Sequence, residues 1–432
     1  MHRAASLLCL LLVAAPAASE LTAAEAPVIV DVEKVATGRS TDEAPEQRYD
    51  GHLVLRVLPR TAAEVVGVEE ILYRDSELDA WRPPSRPGAE VHLRVPPWRL
   101  DRVIGDLAAL SLNHTLVIQD VQRHIDNATR PTVRGDFGFD NYHRIDTIYG
   151  WMYQLARESG SAASVVSGGL SSEGRHILGV RLAHAPDLPV VIVEGGILGR
   201  EWPSTAAAAF VLDQLVASSD PEVRRVARAY EWHVFPSVNP DGYEYAHTTD
   251  RLWSKSRSRT TVRCYGTDLN RNFPHQWGSA GVSWDYCSNL FPGARAASEL
   301  ETRTRMAYLK PLLRRTKAFV ALHSYGQHLA FPWSHTASRA AGHDGLLTVA
   351  AASAEAFGRR HGTRLTTGSW AETLRPVSGT AMDWVHSRAV ANAFSLGLRD
   401  SGAAAFLLPA DQIVPAAEEA LDGILGLLKA IV

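Results

Sequence analysis

The sequence predicts an α/β fold, a mixed β-sheet covered by helices on both faces, preceded by a small α+β open-sandwich module. Residues 188–194 form a near-continuous apolar run, which is typical of a strand buried on both faces of a sheet. Strand and helix patterns alternate from about residue 142 to residue 432. Residues 49–126 contain short strand patterns interleaved with helical ones, which favours a separate open sheet with helices on one side.

The elements of the first module follow from the period of its apolar residues. In 90–95, Val91, Leu93 and Val95 alternate with polar residues, which indicates a half-buried strand. The predicted elements, in chain order, are a strand at 52–58, a helix at 62–72, a strand at 90–95, a helix at 99–110 and a strand at 115–121.

The second region repeats the strand–helix alternation. Ser204 is expected to cap a helix at 205–217, and further strands are predicted at 232–238, 318–322 and 393–398. A C-terminal helix at 415–432 has one apolar side, formed by Leu421, Ile424, Leu425 and Leu428. Sites in such sheets form at the carboxyl ends of strands, where Leu198, Glu201 and His323 are expected.

The N-terminus has the pattern of a cleaved secretory signal, residues 1–19. His2 and Arg3 precede an apolar stretch at 4–15, and small residues at 17–19 suit a cleavage site. The apolar stretch is too short to span a bilayer, so a membrane anchor is disfavoured. Residues 20–48 form a lead-in to the first module, and we expect a secreted, extracellular protein.

Charge and cysteine content agree with export. The formal net charge is −3, which provides no electrostatic reason to expect nucleic acid as a partner. Of three cysteines, Cys9 lies in the signal, leaving Cys264 and Cys287, either as a disulfide or as two free thiols. Residues 127–141 form a predicted exposed linker, in which Arg134 is the better site for nicking. The oligomeric state stays open.

A series of motifs resembles the secreted zinc carboxypeptidases of the A/B family, which are made as zymogens. In the first module, Leu78-Asp79-Ala80-Trp81 and Arg94-Val95-Pro96-Pro97 resemble the family's activation domain. The further matches, in the family's order, are Gly199-Arg200-Glu201-Trp202, Asn239-Pro240-Asp241-Gly242, Leu269-Asn270-Arg271-Asn272, Leu322-His323-Ser324-Tyr325, Ser378-Gly379, Asp383-Trp384 and Leu398-Arg399-Asp400. The resemblance implies an activation domain at 49–126, the carboxypeptidase fold at 142–432, and a disulfide between Cys264 and Cys287.

The resemblance implies a zinc ion held by two histidines and a glutamate, with a position left for water. Glu201 and His323 match two of these ligands, whereas Leu198 stands where the family has the second histidine. A leucine side chain has no lone pair to donate. We therefore expect zinc to be absent or weakly bound in this chain.

Three further family positions are altered. Gly397 stands where the family has the glutamate that serves as general base, and glycine has no side chain to accept a proton. We therefore expect none of the family's catalytic residues to be intact. Ser254 stands at the position of the arginine that stabilises the oxyanion, and Arg375 at that of the mobile tyrosine. Loss of one such group typically slows an enzyme by orders of magnitude.

The substrate-binding positions are retained. Asn270 and Arg271 match the residues that bind the terminal carboxylate of a peptide, for which the planar guanidinium suits two parallel hydrogen bonds. Arg200 matches an arginine of the cleft, and Met382 falls where the family sets side-chain preference, as in the A type. The alternative for both arginines is structural ion pairing.

Three functions are compatible with this pattern. The first is a homologue that has lost hydrolysis and binds peptide C-termini or a protein ligand without cleaving it. The second is an active zinc metallocarboxypeptidase with a rearranged site that removes C-terminal apolar residues. The third is a structural or regulatory, zymogen-like protein whose first module is never released.

Overall fold

The structure is a computed structural model that describes residues 46–128 and 137–431. The predicted signal, with Cys9, lies outside the described residues, as do residues 20–45 of the lead-in and Arg134 of the linker. Within the described ranges, no helix combines the length and the apolar character that a bilayer span requires.

The first module is a four-stranded antiparallel sheet with two helices on one face. Its strands are β1 (Leu53–Val57), β2 (Asp79–Arg82), β3 (Val91–Val95) and β4 (His114–Ile118), in the spatial order β2-β3-β1-β4. Its helices are α1 (Ala62–Arg74), α2 (Leu100–Ala109) and α3 (Val121–Ala128).

Successive side chains of β1 belong to two different apolar clusters. Leu55 and Val57 pack with Val68 of α1 and Leu107 of α2, whereas Val54 faces the other way, toward the second domain. Successive side chains of a strand point to opposite faces, so both faces of this sheet are covered. The predicted open sandwich is confirmed.

The end of this module differs from the prediction. The strand predicted at 115–121 ends at Ile118, and Val121 instead begins α3, which continues to Ala128, inside the predicted linker. Val121 and Ile125 lie four residues apart on the buried side of α3. A helix of eight residues shows too little period for the sequence to distinguish it from a strand end.

The second domain contains an eight-stranded mixed sheet in the order β11-β10-β12-β9-β7-β8-β6-β5. Its strands are β5 (Ala163–Leu170), β6 (His176–Leu182), β7 (Val190–Glu194), β8 (Glu231–Phe235), β9 (Thr316–His323), β10 (His328–Phe331), β11 (Thr366–Ser369) and β12 (Ala393–Gly397). The three neighbours β12, β9 and β7 run parallel, and β7 is buried along its whole length, as predicted.

Helices cover both faces of this sheet. They are α4 (Ile145–Glu158), α5 (Trp202–Ala217), α6 (Pro221–Ala229), α7 (Pro240–Thr248), α8 (Leu300–Leu309), α9 (His343–His361), α10 (Trp370–Thr373), α11 (Ala381–Ser387) and α12 (Ile413–Ala430). Val191 and Val193 of β7 belong to the cluster that contains α5 and α12, whereas Val190 and Ile192 pack toward α8 and α11. The predicted fold class is confirmed.

The predicted cap of α5 is wrong. The helix begins at Trp202, so Ser204 lies inside its first turn instead of before it. The Ser204 hydroxyl donates to the Glu201 carbonyl at 2.7 Å and accepts from the Gly196 amide at 3.0 Å. Ser204 therefore ties the preceding turn to the helix, and Glu201 occupies the N-cap position.

Candidate functional site

The parallel strands bring three of the predicted site positions to one edge of the sheet. His323 is the last residue of β9, Gly397 is the last residue of β12, and Glu201 follows the turn that leaves β7. His323 and Gly397 are direct partners across β9 and β12. The carboxyl ends of these strands form the candidate site.

A tight turn after β7 positions Glu201. Gly196 has a φ of +61°, and a Cβ there would meet the Thr205 hydroxyl at 2.5 Å. The Glu201 amide donates to the Leu198 carbonyl at 3.0 Å, which closes the turn before α5. Glycine is needed because both the left-handed backbone and the close approach of Thr205 disfavour a side chain.

Glu201 and His323 are bonded to one another. The His323 Nδ1 and the Glu201 Oε2 lie 3.0 Å apart, and both residues are buried. The side-chain nitrogen of Asn270, Nδ2, lies 3.4 Å from His323 Nε2. Because Nδ2 can only donate, Nε2 is assigned as the acceptor and Nδ1 as the donor. Glu201 and His323, the two predicted ligands, thus form a hydrogen-bonded pair.

These residues do not fit a zinc ion. Leu198 packs against the apolar cluster that contains Ile197 and Met382, and it has no donor atom. Within residues 46–128 and 137–431, no group of three or more His, Cys, Asp or Glu side chains is placed to hold a metal. A catalytic zinc site takes three protein ligands, and the present residues supply two.

The position of the general base is filled by another residue. A Cβ built on Gly397 would lie 2.2 Å from Cε1 and 2.4 Å from Nδ1 of His328. The imidazole of His328 therefore occupies the space that a side chain at residue 397 would enter. Sequence reasoning missed His328, although a histidine that opens the apolar run Leu329 to Phe331 is an unusual residue for a buried strand.

Ser254 and its neighbour Lys255 both make contacts with the backbone of other segments. Ser254 is buried, and its carbonyl accepts from the Gly199 amide at 2.9 Å. The adjacent Lys255 donates from Nζ to the carbonyls of Tyr286, at 2.9 Å, and Cys287, at 3.4 Å. Burial lowers the pKa of Lys255 to about 8.

The Asn270–Arg271 segment is held rigidly. The side chain of Asp268 accepts from the Asn270 amide at 2.9 Å, and Asn270 Oδ1 accepts from the Ala381 amide at 3.1 Å. Arg271 bonds to Asp268 through Nη1 and donates from Nε to the Gly281 carbonyl at 2.9 Å. In the described part of the chain, no group accepts a hydrogen bond from its Nη2.

Arg375 lies near Arg271, and Met382 lies in the core beside this segment. Burial and, to a lesser extent, the charge of Arg271 lower the pKa of Arg375 to about 9. The Arg375 Nη2 is buried and bonds to no residue in the described ranges. Met382 is buried with Leu269 and Trp384. Arg271 and Arg375 are thus close enough for their charges to interact.

Arg200 is bonded to the first module. Its Nη1 donates to Asp79 Oδ2 at 2.7 Å, and both side chains are buried. Asn289 and Trp81 also donate to Asp79, at 3.2 and 3.1 Å. Burial acts to raise the pKa of Asp79, but the charges of Arg200 and Arg94 outweigh it, so this pKa lies below its ordinary value. A role of Arg200 in substrate binding stays a prediction for a state without this bond.

Polar and apolar contacts surround the Asp79–Arg200 pair. The Tyr49 hydroxyl lies 2.6 Å from Asp250, and His92 Nδ1 lies 2.7 Å from the Tyr325 hydroxyl. An apolar cluster spans both units and consists of Tyr49, Val54, Trp81, Ile118, Val121, Ile125, Leu252, Ala405, Phe406 and Leu407. The first module is thus docked through a continuous interface.

The disulfide is confirmed. Cys264 and Cys287 are bonded, with their Cα atoms 5.0 Å apart, and the bridge closes the loop that receives the Lys255 ammonium. The free-thiol alternative is excluded.

Comparison with known families and curated proteins identifies the relatives of both units. Residues 148–423 match the family model described as zinc carboxypeptidase, and residues 55–128 match that of the carboxypeptidase activation peptide. The chain is 35% identical to zinc carboxypeptidase A 1 of Anopheles gambiae, over 91% of this chain and 93% of that protein. It is 40% identical to a zinc carboxypeptidase of Simulium vittatum, over 67% of this chain and 96% of that protein.

Solved structures show the same architecture. The structure of thrombin activatable fibrinolysis inhibitor superposes with a TM-score of 0.82 at 27% identity, over 89% of this chain and 99% of that one. Carboxypeptidase A from Helicoverpa armigera superposes with a TM-score of 0.81 at 26% identity, over 89% of this chain and 98% of that one. Both similarities include the first module as well as the larger domain.

Proposed function

The chain belongs to the zinc carboxypeptidase family and carries that family's activation module, and from this premise we propose that it binds peptide C-termini without hydrolysing them. The observation that supports the proposal is that Leu198, Gly397 and Ser254 stand at the family's catalytic positions, whereas Asn270 and Arg271 stand at its carboxylate-binding positions. We further propose that the protein is exported, which the disulfide supports because such bonds persist in oxidising compartments.

The expected loss of hydrolysis follows from three chemical groups that this chain lacks. Zinc hydrolysis requires a third ligand, a base and an oxyanion donor, and these positions hold Leu198, Gly397 and Ser254. Glu201 and His323, which are bonded to each other, supply no substitute for them. Any zinc bound here is expected to be weak, because two ligands leave half of a tetrahedral site to solvent.

The expected binding of a carboxylate rests on two positively charged side chains. Arg271 keeps Nη2 without an acceptor in the described ranges, and Arg375 adds a second guanidinium with a buried, unbonded Nη2. A carboxylate that reaches both groups would form charge-assisted hydrogen bonds, which are stronger than neutral ones. Met382 favours an apolar C-terminal side chain on the bound peptide.

The test compares peptides that end in a free carboxylate with the same peptides amidated. Titration calorimetry on the full chain is expected to show binding of the free acids, no turnover, and at least tenfold weaker binding of the amides. Equal affinity for acids and amides would refute the proposal. Arg271→Gln should abolish the preference, whereas Arg74→Gln, at an exposed pair of the first module, should leave it unchanged.

Zinc content decides the active alternative, a zinc metallocarboxypeptidase of A-like preference. After dialysis against trace zinc, elemental analysis is expected to find almost no metal. One tightly held zinc ion per chain, together with hydrolysis of an acyl-dipeptide after removal of the first module, would favour the peptidase instead.

The docked module favours a regulatory, zymogen-like role as a second candidate. The buried Asp79–Arg200 pair and the apolar cluster around it hold the module against the larger domain. If the module is never released, the native secretion should contain only the uncut chain. A processed chain in that secretion would count against this role.

A further inference from the structure

Two histidines flank Gly397 in one row of the sheet. His323 of β9 pairs with Gly397 of β12, and Gly397 pairs with His328 of β10. Residues directly opposite each other on neighbouring strands project from the same face. The row therefore carries two imidazole rings on either side of a residue that has no side chain.

The ring of His328 leans into the space above Gly397. Three of its ring atoms lie between 2.2 and 2.9 Å from the place where a Cβ of residue 397 would be. The Trp370 ring stands edge-on to both imidazoles, with centroids 5.5 Å from His328 and 6.2 Å from His323. A side chain at residue 397 and the His328 ring in this orientation thus exclude each other.

Packing alone does not explain a histidine at this position. His328 is 5% exposed, and neither ring nitrogen forms a hydrogen bond with any residue in 46–128 or 137–431. Buried polar atoms are nearly always bonded, and a leucine would fill a similar volume without leaving two of them unpaired. The imidazole therefore has hydrogen-bonding capacity that the protein itself does not use.

The ring presents a defined chemistry to a ligand. Burial lowers the pKa of His328 to about 3, so the ring is neutral and offers one N–H donor and one acceptor nitrogen. Peptide backbone groups can pair with either nitrogen, because a backbone carbonyl accepts from the ring N–H and a backbone N–H donates to the other nitrogen. A carboxylate, by contrast, would find only a single donor on this ring.

We propose that His328 is a ligand-contacting residue that takes over the space vacated at Gly397 and hydrogen-bonds a backbone amide of a bound peptide. The proposal rests on the proposed function, in which Asn270 and Arg271 bind the terminal carboxylate of the same peptide. His328 then recognises the peptide inward of that carboxylate and makes no contribution to hydrolysis.

The test measures the affinity of one free-acid peptide for the full chain and for variants. His328→Leu is expected to weaken binding about five- to tenfold, the worth of one or two neutral hydrogen bonds. It should also raise the midpoint of thermal unfolding, because two unpaired nitrogens leave the interior. His343→Leu is the matched control, since His343 also has a buried unbonded nitrogen but lies on α9.

Gly397→Ala provides an independent variant that keeps the histidine but displaces its ring. It should weaken binding to a similar degree, and adding His328→Leu to it should cause little further loss. If the wild-type chain binds the acid and prefers it to the amide, yet both variants bind equally well, His328 is a packing residue and this inference is wrong while the proposed function stands. If the wild-type chain does not prefer the acid, both fail.

Discussion

Removing the charge of Asp79 should loosen the first module from the larger domain. Asp79→Asn keeps the size of the side chain but leaves the buried guanidinium of Arg200 without its carboxylate. The side chains of the pair are 9% and 8% exposed, and their nearest atoms are 2.7 Å apart. Such a pair depends on the partner charge far more than an exposed pair does.

The magnitude follows from the distance and the burial. Two unit charges about 4 Å apart interact by about 4 kcal/mol at an effective dielectric of 20. Breaking a buried pair from one side typically costs about 3–5 kcal/mol, because the remaining charge stays desolvated. A loss of about 3 kcal/mol corresponds to opening that is roughly 100-fold more frequent.

Amide hydrogen exchange of the first module measures this opening. We expect the amides of β2 and β3 to exchange roughly 100-fold faster in Asp79→Asn, if opening and closing are fast relative to exchange. The pKa of Asp79 is depressed in the folded state, so its contribution is present above the ordinary pKa of an aspartate. It is lost as the pH falls through the depressed value, and wild type and variant should then converge.

Glu70→Gln is the matched control, because its pair with Arg74 is exposed on α1 and lies within one helix. Exposed pairs of this kind contribute little, so exchange should not change measurably. Exchange in Asp79→Asn at the wild-type rate would refute the argument that the buried pair holds the module. An equal effect in both variants would show a general loss of module stability instead.

Two further predictions concern the disulfide loop. Because burial lowers the folded pKa of Lys255 to about 8, while an unfolded lysine has a pKa of about 10.4, the unfolded state binds more protons between these values. Urea unfolding should therefore show the stability of wild type rising with pH relative to Lys255→Met over that range; parallel curves would contradict the burial of this ammonium. Replacing Cys264 and Cys287 by serine should cost about 3 kcal/mol by the same assay, since the bridge closes a loop with a sequence separation of 23. A loss well under 1 kcal/mol would mean that the loop is constrained by other contacts.

Local patterns were sufficient for much of the fold. The apolar run that became β7 identified the centre of the sheet, and the apolar side of α12 is buried at Leu421, Ile424, Leu425 and Leu428. These predictions succeeded because burial on both faces, or on one side of a helix, leaves its period in consecutive residues. The prediction failed at Ser204 and at Val121, where the start of a helix depends on contacts with residues outside that helix.

Ordered motifs were likewise sufficient to identify the family, and they predict which of its site positions are altered. The absence of a side chain at Gly397 and of a ligand atom at Leu198 follows from residue type alone, because glycine and leucine have no group that can do that chemistry. Residue type could not predict that the Lys255 ammonium donates to the carbonyls of the disulfide loop, because these partners lie in a different segment of the chain.

By itself the sequence determined that this chain has the carboxypeptidase fold with an activation module, and it predicts that the hydrolytic groups are replaced. Only the tertiary structure decided what those positions became. Strand pairing places the His328 ring over Gly397, and docking of the first module pairs Asp79 with Arg200. Residue identity limits the chemistry a position can perform, whereas its partners are set by register and docking, which join segments far apart in the chain.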